Sequence, residues 1–483
     1  VNPLKKVHIL HTNDLHSHFE MMPKVYTVLS DLKKEMEAAS EAVILVDIGD
    51  HTDRFSVETE GTDGMANRAV LEATGYQLVT LGNNELLTFS KEELYQLYQT
   101  APFEVVSTNV KELNGERPTW MKPWTICHVE GFRIGFLAAT IPYPKVYELL
   151  GWKVSDPLKE LMSAVSYLQQ ETDAIVVLSH LGLGNDRRLA EEISGIDMII
   201  GSHTHHLLEV PERIQGTMIA AAGKFGNYVG HITLEMEKDS NRLIGIDGRC
   251  ISTASAQPNP ALEKMIQEFY TQAEQALSEP FIHLNRPLPI DWFKESPLGN
   301  FLADGLLQWV SDADCALVNA GQLLGGLERG PVTRGLLHQV CPHPINPTSI
   351  HLRGRQIRDI LEDSLVRENQ EKAIRGFGFR GKKLGILNLA GLKAEYDPLA
   401  SSGNRLGTVW IQEKPLEDQQ MYRVATIDML TFGVGYQEFK NGKELKFFLP
   451  GFLRDILASH FSSAGSVEQS YTSRWQSVRS SVD

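Results

Sequence analysis

Through roughly the first 240 residues, short β-branched runs alternate with stretches of helical period, and this alternation restricts the fold more than any other feature of the chain. The runs are Val7–Leu10, Val43–Asp47, Leu78–Leu81, Val105–Val106, Ile134–Leu137, Ile175–Leu178, Met198–Ile200 and Met218–Ala221. Helical patterns separate several of them, at Lys24–Glu37, Lys91–Tyr98 and Pro157–Glu171. Strand and helix in turn predict a layered α/β domain, because crossover helices cover the faces that parallel strands would otherwise expose. The pattern then changes. Asn259–Ser278 carries Leu262, Met265, Ile266, Phe269 and Ala273 on one stripe between proline breaks, and reads as a single amphipathic linker helix. Beyond Ile282 a helix near Leu298–Val310, short strands and Gly-rich turns predict a smaller α+β domain. The expected division is 1–255, 256–281 for the linker helix, and 282–483. A chain of 483 residues requires some such division, since single cores stop growing at about 250–300 residues.

Composition excludes several function classes. At 42% hydrophobic and 22% charged the chain is an ordinary globular protein, not a disordered one. Lys plus Arg number 46 against 61 Asp plus Glu, and the net charge of −15 argues against binding bulk nucleic acid. A small phosphorylated substrate stays open, because a bound metal supplies positive charge locally. Cys127, Cys250, Cys315 and Cys341 are scattered without a Cys-x-x-Cys spacing, which predicts buried thiols and no disulfide framework. No run approaches the ~20 apolar residues of a membrane span, and the apolar stretch after Lys6 is too short for a signal sequence. A cytoplasmic location is therefore expected, with a chain beginning at Val1 leaving room for a removed leader.

The chemistry lies immediately after the runs. Val7–Leu10 leads into His11-Thr12-Asn13-Asp14-Leu15-His16, and Val43–Val46 into Asp47-Ile48-Gly49-Asp50. Leu78–Leu81 leads into Gly82-Asn83-Asn84-Glu85, Ile175–Leu178 into Ser179-His180, and Met198–Ile200 into Gly201-Ser202-His203-Thr204-His205. Ligands of α/β sheets gather at the carboxyl ends of the strands. Asp14, His16, Asp50, Asn83, His180, His203 and His205 would converge there. Any one of these motifs alone is more often a turn or a cap. Five strand ends in a row are not explained that way. Seven donors with one shared carboxylate furnish two sites of four ligands, so two divalent ions are expected; the cysteine-free donor set suits Mn, Zn, Co or Mg. His8 alternates along a strand, and His128, His231, His283 and His460 have no companions in sequence; all read as surface or satisfied core residues.

In this order the motifs Asp-x-His, Gly-Asp, Gly-Asn-x-Glu, His and Gly-x-His-x-His resemble those of the calcineurin-like metallophosphoesterases. The opening Thr12-Asn13-Asp14-Leu15-His16 narrows the resemblance to the 5′-nucleotidase family, which includes UDP-sugar hydrolases and cyclic-nucleotide phosphodiesterases. It runs over nearly the whole chain: Glu295–Asp304, Asn319–Gly321 and Tyr422–Gly435 sit where the family's C-terminal signatures fall. The resemblance implies that Asp14, His16, Asp50 and His205 hold one ion, that Asp50, Asn83, His180 and His203 hold the other, and that Asp50 bridges. It also implies hydrolysis of a small phosphorylated substrate, in most members a nucleotide.

The departures are concentrated in two places. The family's Gly-Asn-His-Glu-Phe-Asp, whose His and Asp form a catalytic dyad, here reads Gly82-Asn83-Asn84-Glu85-Leu86-Leu87. Asn84 retains a hydrogen-bond donor for a phosphoryl oxygen, but an amide is no general acid near neutral pH. His18, and next to it His51, are the candidates to take over that task. In the C-terminal half, Asn319-Ala320-Gly321-Gln322-Leu323-Leu324 keeps the family's Asn but lacks its phosphate-side Arg, and another expected Arg falls on Trp292. The two aromatic clamps of the family fall on His343 and Met429. Phe432 or Tyr436 would refill the clamp, and Arg375 and Arg380 would supply new phosphate contacts. The expected function is metal-dependent hydrolysis of phosphate esters or anhydrides of small molecules. The alternatives are a metal-retaining sensor with little catalysis, and a hydrolase of a non-nucleotide phosphate or a sulfur ester.

Overall fold

The computed structural model describes residues 4–376 and 378–479. It divides into two compact units, the first ending at Glu274 and the second beginning at Gln275.

All eight β-branched runs of the first unit are strands, and they build two sheets. One has seven strands in the order Arg242–Ser252, Tyr228–Glu237, Leu4–Thr12, Ala42–Asp47, Leu78–Val79, Glu104–Val106, Met121–Lys122. The other has six, in the order Glu212–Ile214, Thr217–Ala220, Met198–Gly201, Ala174–His180, Phe132–Thr140, Trp124–Val129. Side chains alternate across each strand, which is why both sheets bury two faces. Val7, Ile9, Ile44 and Val46 of the first sheet meet Ile134, Phe136, Val176 and Leu178 of the second in a shared core. The opposite face of the first sheet, including Leu10 and Leu45, is covered by helices such as Met22–Ala38. Leu137, Ile175 and Val177 of the second sheet lie under Pro157–Leu168 and Leu183–Glu192. The result is a four-layer helix–sheet–sheet–helix sandwich.

Parallel pairing places the loops. Leu4–Thr12 runs parallel to Ala42–Asp47 with Thr12 level with Asp47, and Ala174–His180 runs parallel to Phe132–Thr140 with His180 level with Thr140. Consecutive carboxyl ends therefore open on one rim.

The helix expected between the domains spans Pro260–Leu277. Its stripe docks on the first unit: Leu262 is buried in that unit's core, with Met265, Ile266 and Phe269 packed against it. The division at Glu274/Gln275 follows from that docking and falls late in the helix. The second unit has a five-stranded sheet in the order Leu387–Ala390, Cys315–Asn319, Met421–Ile427, Pro347–Arg353, Lys443–Phe447, and a four-stranded sheet containing Leu392–Tyr396 and Leu406–Ile411. The helix Pro297–Trp309 is buried against its core. Among the described residues no helix is long and apolar enough to cross a membrane, and the four cysteines are free.

One buried carboxyl in this unit makes stability depend on pH. Burial raises Asp428 to about 7, against the opposing pull of the Asn346 and Met429 N–H groups. Because the folded value lies above the unfolded one, folding is unpenalised below about pH 4 and loses stability as pH rises toward 7. The two N–H groups bond to different oxygens, Asn346 to Oδ2 and Met429 to Oδ1, so Asp428→Asn removes the ionisation penalty but keeps an acceptor for only one of them. That lost acceptor is a constant cost, so relative to its difference from wild type at pH 4 the variant should gain roughly 1–4 kcal/mol at pH 8, read from urea midpoints. A pH-independent difference would show that Asp428 ionises without cost.

Candidate metal centre

The ligand loops meet as two adjacent clusters, Asp14 with His16 and His205, and Asp50 with His180 and His203. Asp50 stands between them: its Oδ2 is 3.3 Å from His180 Nε2 and 3.8 Å from His16 Nε2. Across the first cluster, Asp14 Oδ1 lies 3.9 Å from His16 Nε2 and 3.7 Å from His205 Nε2. The two imidazole Nε2 atoms of His16 and His205 are 3.1 Å apart.

Local backbone makes this convergence possible and strains the chain. Asp14, His16, Asp50, His203 and His205 all have positive φ, between 47° and 74°. Non-glycine residues avoid that region, so their concentration at the rim marks a functional site held by its surroundings. Those surroundings are identifiable. Asp14 accepts hydrogen bonds from Ser202 Oγ at 2.7 Å, Asn13 Nδ2 at 3.0 Å and the His203 N–H at 3.1 Å. Glu85 is fully buried and accepts from the N–H groups of Asp50, Thr52 and Gly82 and from Thr52 Oγ1, so one carboxylate ties two ligand loops together. The Ile48 carbonyl accepts a hydrogen bond from His180 Nδ1–H at 2.8 Å, which leaves Nε2 facing Asp50.

The donor set fits a metal pair. Asn83 Oδ1 is buried without a hydrogen-bond partner, an expensive condition unless a cation completes it, and His180 Nε2 faces only the Asp50 carboxylate at 3.3 Å. Protonation shows the same demand for positive charge. Burial would raise Asp50, but the imidazoles of His180 and His16 and the Asn84 N–H overturn that and hold it well below the usual carboxylate range. Burial would likewise lower His180, yet Asp50, then Asp14, lift it to about 10. Burial and the nearby His180 push His203 down to about 4. A metal would compete with protons for these positions, so its binding would release protons.

Gly82 is where the packing tolerates no side chain. A Cβ there would stand 2.0 Å from Asp50 Oδ1 and 2.6 Å from both Asp50 N and His180 Cε1. Gly82→Ala should displace Asp50 and weaken metal binding at least about 10–100-fold in titration calorimetry, as a disturbed ligand support does. Wild-type affinity in that variant would mean that Asp50 holds no ion.

The other residues singled out from sequence are placed differently. Asn84 turns inward: its Nδ2 is 2.9 Å from the Thr52 carbonyl and 3.0 Å from His16 Nδ1, so the amide tethers His16. His18 pairs with Glu20 at 2.6 Å and stacks at 3.9 Å on Phe225, whose ring also touches His16 and His205. His51 is buried between Asp47 and Tyr98 and does not face the rim. In the second unit, Asn319 is buried against the Leu384 carbonyl and Gln322, and Tyr436 is buried with its hydroxyl on the Gly385 carbonyl. Both are internal supports. His343 stacks on Phe379, and Met429 is fully buried. Arg380 donates its N–H to His343, Arg375 is exposed, and Phe432 is half exposed. Phe377, between these arginines, lies outside the described residues. His8 and His231 do have companions: His8 Nδ1 is 2.9 Å from His231 Nε2, and its Nε2 is 2.8 Å from Glu41.

Three residues of the rim carry no motif. Phe225 and Lys224 follow the strand Thr217–Ala220, with the Lys224 ammonium 4.4 Å from the Phe225 ring centroid, and Tyr143 follows Phe132–Thr140. Both strands are legible in the sequence, but their loops lack metal-binding residue types. The signal available was their place on the same parallel edge.

A double-sheet sandwich with these ligand loops on one rim defines the metallophosphoesterase class. Family models agree: residues 7–207 match the calcineurin-like phosphoesterases and residues 276–441 the 5′-nucleotidase C-terminal domain. The uncharacterized metallophosphoesterase YunD of Bacillus subtilis is 36% identical over 456 residues, covering 94% of this chain and 98% of its own length. The trifunctional nucleotide phosphoesterase YfkN of the same organism is 25% identical over 490 residues, 89% of this chain but 32% of the relative. The solved structure of Haemophilus influenzae NAD nucleotidase superposes with a TM-score of 0.70 at 17% identity, over 99% of this chain and 100% of that one. The chain belongs to the 5′-nucleotidase family of calcineurin-like metallophosphoesterases.

Proposed function

We propose that this protein is a dinuclear metal-dependent phosphohydrolase acting on esters or anhydrides of small molecules, nucleotides foremost. The observation that carries the reading is Asp50, one buried carboxylate within 4 Å of an imidazole from each cluster. Asp14, His16 and His205 would hold one ion and Asn83, His180 and His203 the other, with Asp50 common to both. Bound divalent ions offset charge on the phosphoryl oxygens and make a water nucleophilic near neutral pH. The chain's own residues keep the geometry. Glu85 locks the Asp50 and Gly82 loops, Ser202 and Asn13 orient Asp14, and the Ile48 carbonyl fixes the His180 tautomer. Such preorganisation lets charge stabilisation act without moving ligands during reaction.

Nucleotide preference rests on the C-terminal 5′-nucleotidase domain and on nucleotide-acting relatives such as YfkN and the NAD nucleotidase. The test is a panel crossing Mn, Zn, Co and Mg with AMP, a UDP-sugar, a cyclic nucleotide, NAD and p-nitrophenyl phosphate. Turnover abolished by chelation and restored by metal is expected. Two bound ions with no turnover of any ester or anhydride would make the protein a metal-retaining binding protein instead.

A further inference from the structure

The strand Phe132–Thr140 ends level with His180, so the segment after it opens on the ligand rim. That segment is Ile141-Pro142-Tyr143-Pro144. Prolines on both sides fix the adjoining backbone, and the residue before a proline is itself restricted. The helix Pro144–Leu149 begins at once, and the Tyr143 ring leans on Tyr147 with centroids 6.1 Å apart. A stiff support thus presents one hydroxyl. It lies 3.5 Å from His203 Nε2, while the residue as a whole is 40% exposed. Tyr143 therefore stands on the solvent side of the Asp50–His180–His203 cluster.

Neighbouring polar groups are already committed. Asn84 Nδ2 serves the Thr52 carbonyl and His16, Ser202 Oγ serves Asp14, and Thr52 Oγ1 serves Glu85. The contact from Tyr143 to His203 is at the outer limit of a hydrogen bond, which leaves the phenol proton available to a better acceptor. A charged phosphoryl oxygen is such an acceptor, and bonds to charged acceptors are about twice as strong as neutral ones.

We propose that Tyr143 is a substrate-contacting catalytic residue: its hydroxyl donates a hydrogen bond to a non-bridging phosphoryl oxygen at the His203 side of the metal centre. It supplies the donor that Asn84, turned inward, does not present. This rests on the phosphohydrolase reading of the same site. No proton is transferred and no bond of the substrate is broken by Tyr143, so its contribution is independent of the leaving group. A positioning role would look different. There the phenol oxygen would accept the His203 Nε2 proton and select the other ring nitrogen for the ion, and its loss would weaken metal binding.

The experiment uses the full chain loaded with Mn²⁺, comparing wild type with Tyr143→Phe, which deletes one oxygen from a partly exposed ring. Three quantities are read: Mn²⁺ affinity, the affinity of the loaded protein for inorganic phosphate, and turnover of p-nitrophenyl phosphate against a simple alkyl phosphate. The expected result is unchanged Mn²⁺ affinity, phosphate binding weakened about tenfold or more, and the same fold-loss of kcat/KM on both esters. Mn²⁺ affinity falling in parallel would overturn the proposal in favour of a positioning role. Wild-type phosphate affinity in Tyr143→Phe, or a loss much larger on the alkyl ester, would overturn it too. If loaded wild type neither bound phosphate nor hydrolysed either ester, the phosphohydrolase reading would fall and this one with it.

Discussion

Replacing Asp50 by asparagine should leave at most one divalent ion per chain and lower turnover on the best substrate by about 10³-fold or more. The size of the effect follows from where the carboxylate stands. Its Oδ2 lies within 4 Å of imidazoles from both clusters, and its Oδ1 accepts the Asn84 N–H at 2.8 Å. An amide keeps the shape but removes the negative charge that two cations would share. His16→Ala, by contrast, strips one ligand from one cluster and leaves Asp50, His180 and His203 together. That variant should keep more of the second ion and lose less activity. Elemental analysis of both variants after gel filtration decides the matter. Two ions retained in Asp50→Asn, or a loss no greater than in His16→Ala, would remove Asp50 from the centre of the site.

How far the sequence could be read depended on the kind of signal. The convergence of the Asp, Asn and His loops was legible because parallel strands deliver their carboxyl ends to one edge, and those residue types follow five of the runs. The strands were legible because buried parallel strands are continuous apolar runs. The support of the site was not. Glu85 acts on backbone N–H groups contributed by Gly82, Asp50 and Thr52, and residue type says nothing about such partners. The helix Asn83–Thr88, which carries Asn83, is a single turn and a half with no apolar period to find. Leu183–Glu192 is mostly charged and polar, and takes its stability from the few side chains it lays on the second sheet. The pairing of His8 with His231 requires antiparallel register: His8 lies opposite Thr233, which puts His231 diagonally beside it on the same face. Nor could the sequence show that Asn319 and Tyr436 would be consumed internally. Their hydrogen bonds run to the carbonyls of Leu384 and Gly385, in a Gly-rich turn whose path no periodicity specifies.

The second large effect concerns leaving groups and follows from Asn84 and Leu87. An alkoxide leaving from a nucleoside monophosphate is strongly basic and gains from protonation as the P–O bond breaks. A phosphate leaving from an anhydride, or a nitrophenolate, departs without that help. Asn84 offers no acid, and its amide is tied to Thr52 and His16. A hydrogen bond from Tyr143 to a non-bridging oxygen would not change this preference, because it acts alike on every leaving group. The protein should therefore cleave anhydrides and activated esters faster than AMP by a factor on the order of 10² or more, the usual worth of general acid catalysis. Asn84→His alone should restore little. Leu87 packs half-buried against the core of the first unit and cannot orient or charge an imidazole. The double variant Asn84→His with Leu87→Asp should raise kcat on AMP about tenfold while changing anhydride cleavage much less. It also places a carboxylate where an aliphatic chain packed, at a cost of about 1–3 kcal/mol in stability, and it frees His16 from its tether. The comparison is made at matched folding and matched metal occupancy, since the neighbouring Asn83 is among the proposed ligands. Equal gains on both substrate classes would mean that the imidazole repaired positioning and not acid catalysis. A wild-type protein that hydrolyses AMP as fast as anhydrides would sink the argument, and His18, stacked on the Phe225 ring that touches His16 and His205, would become the group to replace next.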